Sequence, residues 1–147
     1  MRMSTSVTLS LADLSETLAV CVVLGGAQTA DIAVTFKLAS IFRVAKKLRE
    51  EHFGADSPFN VARTALADEH TLPGIDSRPF KSPKDADEFR RKERLLLNQQ
   101  VTVQLPALDK SDLTNVKLFD VEDGKRVRVE ITPFQIDAIM CMLKEDK

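Results

Sequence analysis

Apolar side chains between positions 29 and 53 recur at the spacing of an α-helix. One row, with alternating steps of four and three residues, consists of Val34, Leu38, Ile41, Ala45 and Leu48. A second row, interpreted as lying beside the first, consists of Ile32, Phe36, Ala39 and Phe42. The two rows together predict a helix whose apolar face is wide before Arg43 and narrow after it. We therefore expect the first turns of this helix to lie in a core and its last turns to face water.

The segment before this helix predicts a strand and a first helix. Residues 5–9 alternate polar and apolar side chains, which favours a short strand. Ser10, with Asp13 three residues later, is typical of a capped helix start, and the helix is predicted to continue to about Leu24.

A short glycine-containing turn separates the first helix from the long one. Gly25 and Gly26 are expected to end the first helix, because glycine tolerates the left-handed conformation that helix C-termini use. Thr29 is expected to cap the long helix. Two helices joined by so short a turn predict an antiparallel helical hairpin.

Serine followed by proline predicts the start of two further helices. Gly54 is expected to end the long helix, after which the pair at 57–58 begins a helix that runs to about His70. The pair at 82–83 begins another, which continues through DADEFRRKERLLLNQ. Acidic residues precede basic ones in it, which favours ion pairs four residues apart, Asp87–Arg91 and Glu88–Lys92.

The remaining chain predicts strands and a last helix. Residues 101–105 alternate as a strand that Pro106 ends. The strand-like runs 116–121 and 126–131 flank an Asp-Gly pair, a dipeptide favoured in hairpin turns. Thr132-Pro133 is predicted to cap a last helix with one apolar face, formed by Ile136, Ile139, Met140 and Leu143.

Together these elements predict an α+β fold. It has about five helices, including the helical hairpin, packed on a small, mostly antiparallel sheet of four short strands. At 147 residues the chain has the size of one domain, 1–147, with a sizeable core.

Charge and composition argue against nucleic acid and membrane partners. The chain has 21 basic and 22 acidic side chains, so it lacks the basic excess that attracts nucleic acid or anionic lipid. It has no Trp or Tyr for stacking on bases. The run LAVCVVL is shorter than the ~18 residues that span a bilayer, and no secretory signal is evident. We expect a soluble protein made in the cytoplasm.

Candidate chemical groups are few. His52 and His70 lie beside acidic residues near predicted helix C-termini, where capping or a solvated surface is favoured over a metal or catalytic site. Asp85, Asp87 and Glu88 open a helix amid cations, so they are expected to be wet and ionised rather than a general acid–base pair. No nucleophile elbow or phosphate loop is present. We predict no catalytic residue, metal or cofactor, and no enzyme activity.

The two cysteines, Cys21 and Cys141, lie within apolar helical runs. Buried reduced thiols are the favoured interpretation. A disulfide joining the first and last helices is the alternative, which spacing alone does not decide.

The longest irregular segment covers residues 71–82, TLPGIDSRPFKS, a length at which loops are usually functional or disordered. A basic run, RRKER at 90–94, follows it and is either a solvated helix face or a docking surface for an acidic partner. The predicted interface residues are Pro73, Ile75, Arg78, Phe80, Arg90, Arg91 and Arg94.

The chain resembles a family of small proteins of unassigned function from tailed bacteriophages, encoded near virion genes. The resemblance rests on the order of TLSLADL, FKLASIFRVAKKLREE, FNVARTAL, LLNQQVTVQL, DLTNV and ITPFQIDAI. These segments are core faces, caps and turns, and the family offers no catalytic residues. The resemblance implies a multi-copy structural or assembly component of the virion, in head, neck or tail. Its partners would be other virion proteins and copies of itself. The alternatives are a non-virion phage protein that binds a host protein and, third, a small enzyme.

Overall fold

The structure, a computed structural model, describes residues 4–74, 78–113 and 116–143. Within these ranges the chain forms five α-helices and four strands, which confirms the α+β class. The helices are α1 (Leu11–Gly25), α2 (Ile32–Phe53), α3 (Pro58–His70), α4 (Pro83–Leu97) and α5 (Pro133–Ala138). The strands are β1 (Ser4–Ser10), β2 (Gln100–Pro106), β3 (Leu118–Glu122) and β4 (Lys125–Val129). Short 3₁₀ turns cover Lys110–Leu113 and Met140–Met142.

Four helices begin at the hydroxyl residue that the sequence predicts: Ser10, Ser57, Ser82 and Thr132. Each hydroxyl oxygen accepts a hydrogen bond from the backbone amide three residues on, which satisfies a donor that a helix start leaves unpaired. At Thr132 the side chain of Gln135 also accepts from the threonine amide and completes a capping box.

The glycine pair ends α1 as predicted, but its conformation and the residue that caps α2 differ from the prediction. Asp31, not Thr29, caps α2, because Asp31 Oδ1 accepts the amides two and three residues on, whereas the threonine hydroxyl accepts only the amide of Asp31. Gly26 has φ −93°, outside the left-handed region. Its amide instead bonds the carbonyl of Val23 in a tightened last turn. Gly25 allows close approach, since a Cβ there would overlap the ring of Phe42.

The two sheets are separate, which corrects the prediction of one four-stranded sheet. β1 and β2 pair antiparallel, with Val7 opposite Val103, and their apolar side chains face the core. β3 and β4 form a hairpin whose two turn residues, Asp123 and Gly124, have φ 52° and 75°. This agrees with the Asp-Gly turn predicted there. A backbone bridge between Gln28 and Lys117 joins the hairpin to the body, and within the described residues no ladder connects the two sheets.

The core lies between the helical hairpin and the β1–β2 sheet. α1 and α2 pack along each other, with Gly25 near Phe42 and Ser15 near Phe53, which is the predicted antiparallel arrangement. Thr17 is buried in α1 and donates to the carbonyl of Ala138, which ties α5 to the hairpin. The largest fully buried apolar side chains are Leu14, Leu18, Leu24, Ile41, Leu105, Leu108, Ile139 and Met142.

The two apolar rows of α2 differ in burial. All five residues of the first row, Val34, Leu38, Ile41, Ala45 and Leu48, are buried, as predicted. The second row was predicted to adjoin it, but Ile32 and Phe36 are 72% and 71% exposed. The prediction was wrong because the first three members of the second row, unlike Phe42, each lie two residues from a member of the first. Two residues in an α-helix subtend about 200°, so the rows face opposite directions.

Two details near the ends of helices also differ. The ion pairs along α4 join residues three apart, Glu88–Arg91 at 2.9 Å and Asp87–Arg90 at 3.7 Å, where spacing of four was predicted. The last helix is shorter than predicted, since α5 ends at Ala138. The following 3₁₀ turn moves Met140 out of the predicted apolar face, and it is exposed. No helix in the described ranges is both long and apolar enough to cross a membrane.

A pair of substitutions on α2 tests which row supports the fold. Leu38→Ala should lower the free energy of unfolding by about 2–5 kcal/mol, because it removes a buried side chain and leaves a cavity. Ile32→Ala, on the opposite face of the same helix, should stay within about 0.5 kcal/mol of the wild type. Urea unfolding of both variants measures the difference. Equal losses would contradict this assignment of the two faces.

Candidate interaction surface

The predicted loop is anchored at its base. The amide of Leu72 donates to the carbonyl of Pro79 at 2.8 Å, and that of Lys81 to His70 at 3.0 Å, on either side of a bridge between residues 71 and 80. Pro73 is exposed. Ile75, which was predicted to contact a partner, lies outside the described residues.

Phe80 is half-buried and packs within the chain. Its ring lies 5.4 Å from that of Phe89 on α4, at a tilt of 54°, and the guanidinium of Arg90 lies 5.8 Å from its centroid. A side chain held by an aromatic and a cationic contact stabilises its own domain. Phe80 is therefore part of the unit formed by α3, α4 and the base of the loop between them, here called the α3–α4 unit. It is a poor anchor for a partner.

Three of the four predicted arginines form ion pairs within the chain. Arg78 binds Asp68 on α3 at 2.8 Å. Arg90 and Arg91 each pair with an acidic residue of α4. Arg94 is exposed and has no ion pair with a described residue. The structure therefore brings Phe80 and Arg90 together and leaves Arg94 as the arginine of this group most available to an acidic partner.

His70 is buried and bonds to a side chain of α4, whereas the prediction was a helix-capping or solvated position. Its side chain is 8% exposed at the end of α3, and Nδ1 lies 2.9 Å from Asp85 Oδ1 on α4. Nε2 is enclosed without a hydrogen-bond partner among the described residues, with the carboxylate of Glu69 3.8 Å away. Nε2 is therefore closed off from solvent in this structure. The imidazole links α3 to α4.

The carboxylate of Asp85 is held ionised. The Ser82 hydroxyl donates to its Oδ2 at 2.7 Å, and this hydrogen bond, followed by that with His70, lowers the pKa of Asp85. A hydrogen bond from Arg91 likewise lowers the pKa of Glu88. A general acid needs a raised pKa, so the lowered pKa values of Asp85 and Glu88 do not suit that role.

The cysteines are free thiols. Burial raises the pKa of Cys21 to about 12, and its Sγ lies 3.5 Å from Met142 Sδ. Burial also raises the pKa of Cys141. A raised pKa disfavours the thiolate, the form that acts as nucleophile and metal ligand. Among the described residues, no group of three or more His, Cys, Asp or Glu side chains is placed to bind a metal.

A surface that the sequence interpretation assigned to the core is the most distinctive exposed feature. It is the solvent side of α2, here called the outer row, and consists of Ile32, Phe36, Ala39 and Arg43. Phe42 flanks the row and is 36% exposed. The spacing of the two rows, two residues apart, was the signal that would have identified this surface.

Two grooves elsewhere on the surface contain none of the outer-row residues. One, of about 360 Å³, lies between α1 and α2 and is lined by Ser15, Leu18, Ala19, Val22, Arg49 and Phe53. The other, of about 410 Å³, is lined by Lys110, Leu113, Ile136, Met140 and Leu143. Neither brings together the several convergent polar groups that fix a small-molecule ligand.

Comparison of the chain with protein-family models, curated proteins and solved structures gave no match. Its function is therefore inferred from the surface features above.

The Asp85 carboxylate should make stability depend on acid pH. Because folding lowers its pKa from the ordinary 3.8, its stabilising contribution is complete above that pH and is lost as the pH falls through the lower folded pKa. Asp85→Asn keeps an oxygen acceptor and removes the charge. We expect this variant to unfold at lower urea concentration than the wild type at about pH 5, with the gap closing towards about pH 2.

Asp87→Asn is the matched control, because Asp87 lies in the same helix start with an exposed side chain. It should remain within about 0.5 kcal/mol of the wild type at both pH values. A gap between Asp85→Asn and the wild type that does not change with pH would contradict the ionised-carboxylate interpretation.

Proposed function

We propose that the chain is a multi-copy structural or assembly subunit of a tailed bacteriophage virion, acting through protein–protein contacts. The resemblance to small phage proteins suggests that the assembly is a phage particle. The observation that carries the proposal is the outer row of α2, where Ile32 and Phe36 face water one helical turn apart. An adjacent pair of large exposed apolar side chains, flanked by charge, is typical of a contact with another protein.

Burial of the outer row by a partner is expected to lower the free energy of the system. Each Å² of apolar surface removed from water contributes about 25 cal/mol of favourable free energy. Aromatic side chains are enriched at the centres of interfaces. Most of Ile32 and Phe36 lies outside the chain's own core, since the opposite face of α2 supplies that core. A partner that covers these two side chains therefore adds a favourable hydrophobic contribution to the free energy of binding.

The charged groups around the row suit a defined docking geometry. Arg43 continues the row, and Lys47 lies one turn further along the same face. Exposed charges at the rim of an interface set register and partner choice more than affinity. A subunit that must occupy one position in a particle needs both an apolar anchor and such a charged rim.

The groups that would perform bond chemistry have structural partners. The His70 imidazole is enclosed, the Asp85 and Glu88 carboxylates are stabilised as anions, and the Cys21 thiol is stabilised in its protonated form. These features support a role in binding over a role in catalysis.

A second candidate is a non-virion phage protein that binds a host protein. The observation that favours it is the groove of about 410 Å³ that Met140 lines together with four other residues. Methionine adapts to differently shaped partners, so a Met-lined groove suits a target that did not evolve with the phage.

Mass spectrometry of purified particles tests the proposal. We expect the wild-type chain in several copies per particle. A Phe36→Asp variant should be excluded from particles, because it places a charge in the apolar contact. Val61→Asp is the matched control, since Val61 is an exposed apolar residue on α3, and it should be incorporated normally. Absence of the wild-type chain from particles would overturn the virion proposal and favour the second candidate.

A further inference from the structure

The exposed side of α2 has the spacing of a helix–helix seam. The outer row steps by four, three and four residues from Ile32 to Arg43, the a/d pattern of a coiled coil. We propose that a second copy of this chain covers the outer row, with the two α2 helices antiparallel about a two-fold axis. This inference deepens the proposed function by naming the partner of the outer row, and it rests on that row being a contact surface.

The sizes of the side chains favour an antiparallel pair. With the axis beside the middle of the row, each Phe36 lies over the partner copy's Ala39, so a large side chain meets a small one at both central positions. A parallel pair would stack Phe36 on Phe36 and leave a void between the two Ala39 methyl groups. Seams pack closely when large and small residues alternate, so the antiparallel arrangement fills space better.

The charges favour the same arrangement. At each end of the antiparallel seam, the aliphatic part of Arg43 covers the partner copy's Ile32, and the guanidinium comes beside the partner copy's Asp31. Neither Asp31 nor Arg43 has an ion pair with a described residue of its own chain. Asp31 uses Oδ1 to cap α2, which leaves its second oxygen for the arginine. A parallel pair would instead bring the two Arg43 side chains together.

The surroundings of the row leave room for a neighbouring helix. The positions that flank the seam on one side, Ala33 and Ser40, are exposed and have small side chains that allow close approach. Phe42 flanks the other side, where its exposed part faces the partner copy's Thr35. Phe36 alone would remove on the order of 150 Å² from water, against about 800 Å² per partner in a standard interface. The row therefore supplies the apolar centre of a modest interface, and we expect a dissociation constant in the micromolar range.

Sedimentation velocity of the purified full chain over a wide concentration range tests the dimer. We expect the wild type to pass from monomer to dimer as concentration rises. Phe36→Asp should weaken the dimer by roughly 100-fold, because it buries an unpaired charge at the centre of the seam. Val61→Asp on α3 should dimerise like the wild type. A wild-type chain that stays monomeric, or a Phe36→Asp variant that dimerises normally, would overturn the inference.

Disulfide trapping tests the antiparallel geometry. In the proposed seam Ala33 faces the partner copy's Ser40, so a mixture of an Ala33→Cys chain with a Ser40→Cys chain should form a covalent dimer on mild oxidation. Each variant alone should remain uncrosslinked. Both are made with Cys141→Ser, which removes the half-buried native thiol. Efficient crosslinking of either variant alone, or none in the mixture, would contradict the antiparallel pair.

Charge reversal tests the ends of the seam. Arg43→Glu should weaken the dimer by about 10-fold, because it faces the partner copy's Asp31. Adding Asp31→Asn should restore part of the loss, since asparagine caps a helix as well as aspartate and carries no charge. Absence of this rescue would contradict the Asp31–Arg43 contact.

The two proposals can fail separately. A dimer in solution with no chain in particles would retain the α2 pairing and reject the virion role. Particles that contain the chain, together with a monomer at every concentration, would retain the virion role and reject the pairing. In that case a different virion protein covers the outer row.

Discussion

The burial of a single row of α2 determines the arrangement of the rest of the chain. α1 and β2 both pack against the helix, and the row from Val34 to Leu48 supplies the side chains that they cover. The first half of α2 has apolar residues on two opposite sides, so any rotation that buries one side exposes the other. Burying Leu38 and Ile41 therefore places Ile32 and Phe36 in water. The surface proposed for assembly is a direct consequence of how the core is formed.

The α3–α4 unit depends on polar contacts more than on apolar burial. His70 is the one buried residue of α3 within the described chain. It is held by Asp85, whose carboxylate also accepts the Ser82 hydroxyl. Across the same pair of helices, Arg63 binds Glu93 at 2.7 Å and stacks near the ring of Phe89. Such contacts fix the orientation of two amphipathic helices that bury few apolar side chains. They also explain why Phe80 and the arginines of α4 are engaged within the chain.

Local signals in the sequence predicted the elements well because the forces that set them act over three or four residues. A serine followed by proline caps a helix wherever it lies, and an Asp-Gly pair favours its hairpin turn in any sheet. The same local signals failed where two candidates compete. Thr29 and Asp31 are both residue types that cap helices, and the backbone of the turn places Asp31 at the cap position of α2. In the candidate interface, the basic run predicted a solvated face or a docking surface, but local sequence did not reveal that Asp68 lies close to Arg78.

The sequence by itself determined the α+β class, the helical hairpin, the helix starts and the buried row of α2, because periodicity and capping are properties of neighbouring residues. Only the tertiary structure decided that the strands form two sheets, that His70 is enclosed against Asp85, and that the outer row of α2 faces water. Those outcomes depend on which elements meet across long separations in the chain. A helix with two apolar sides offers both for burial, and only the packing of the other elements selects one.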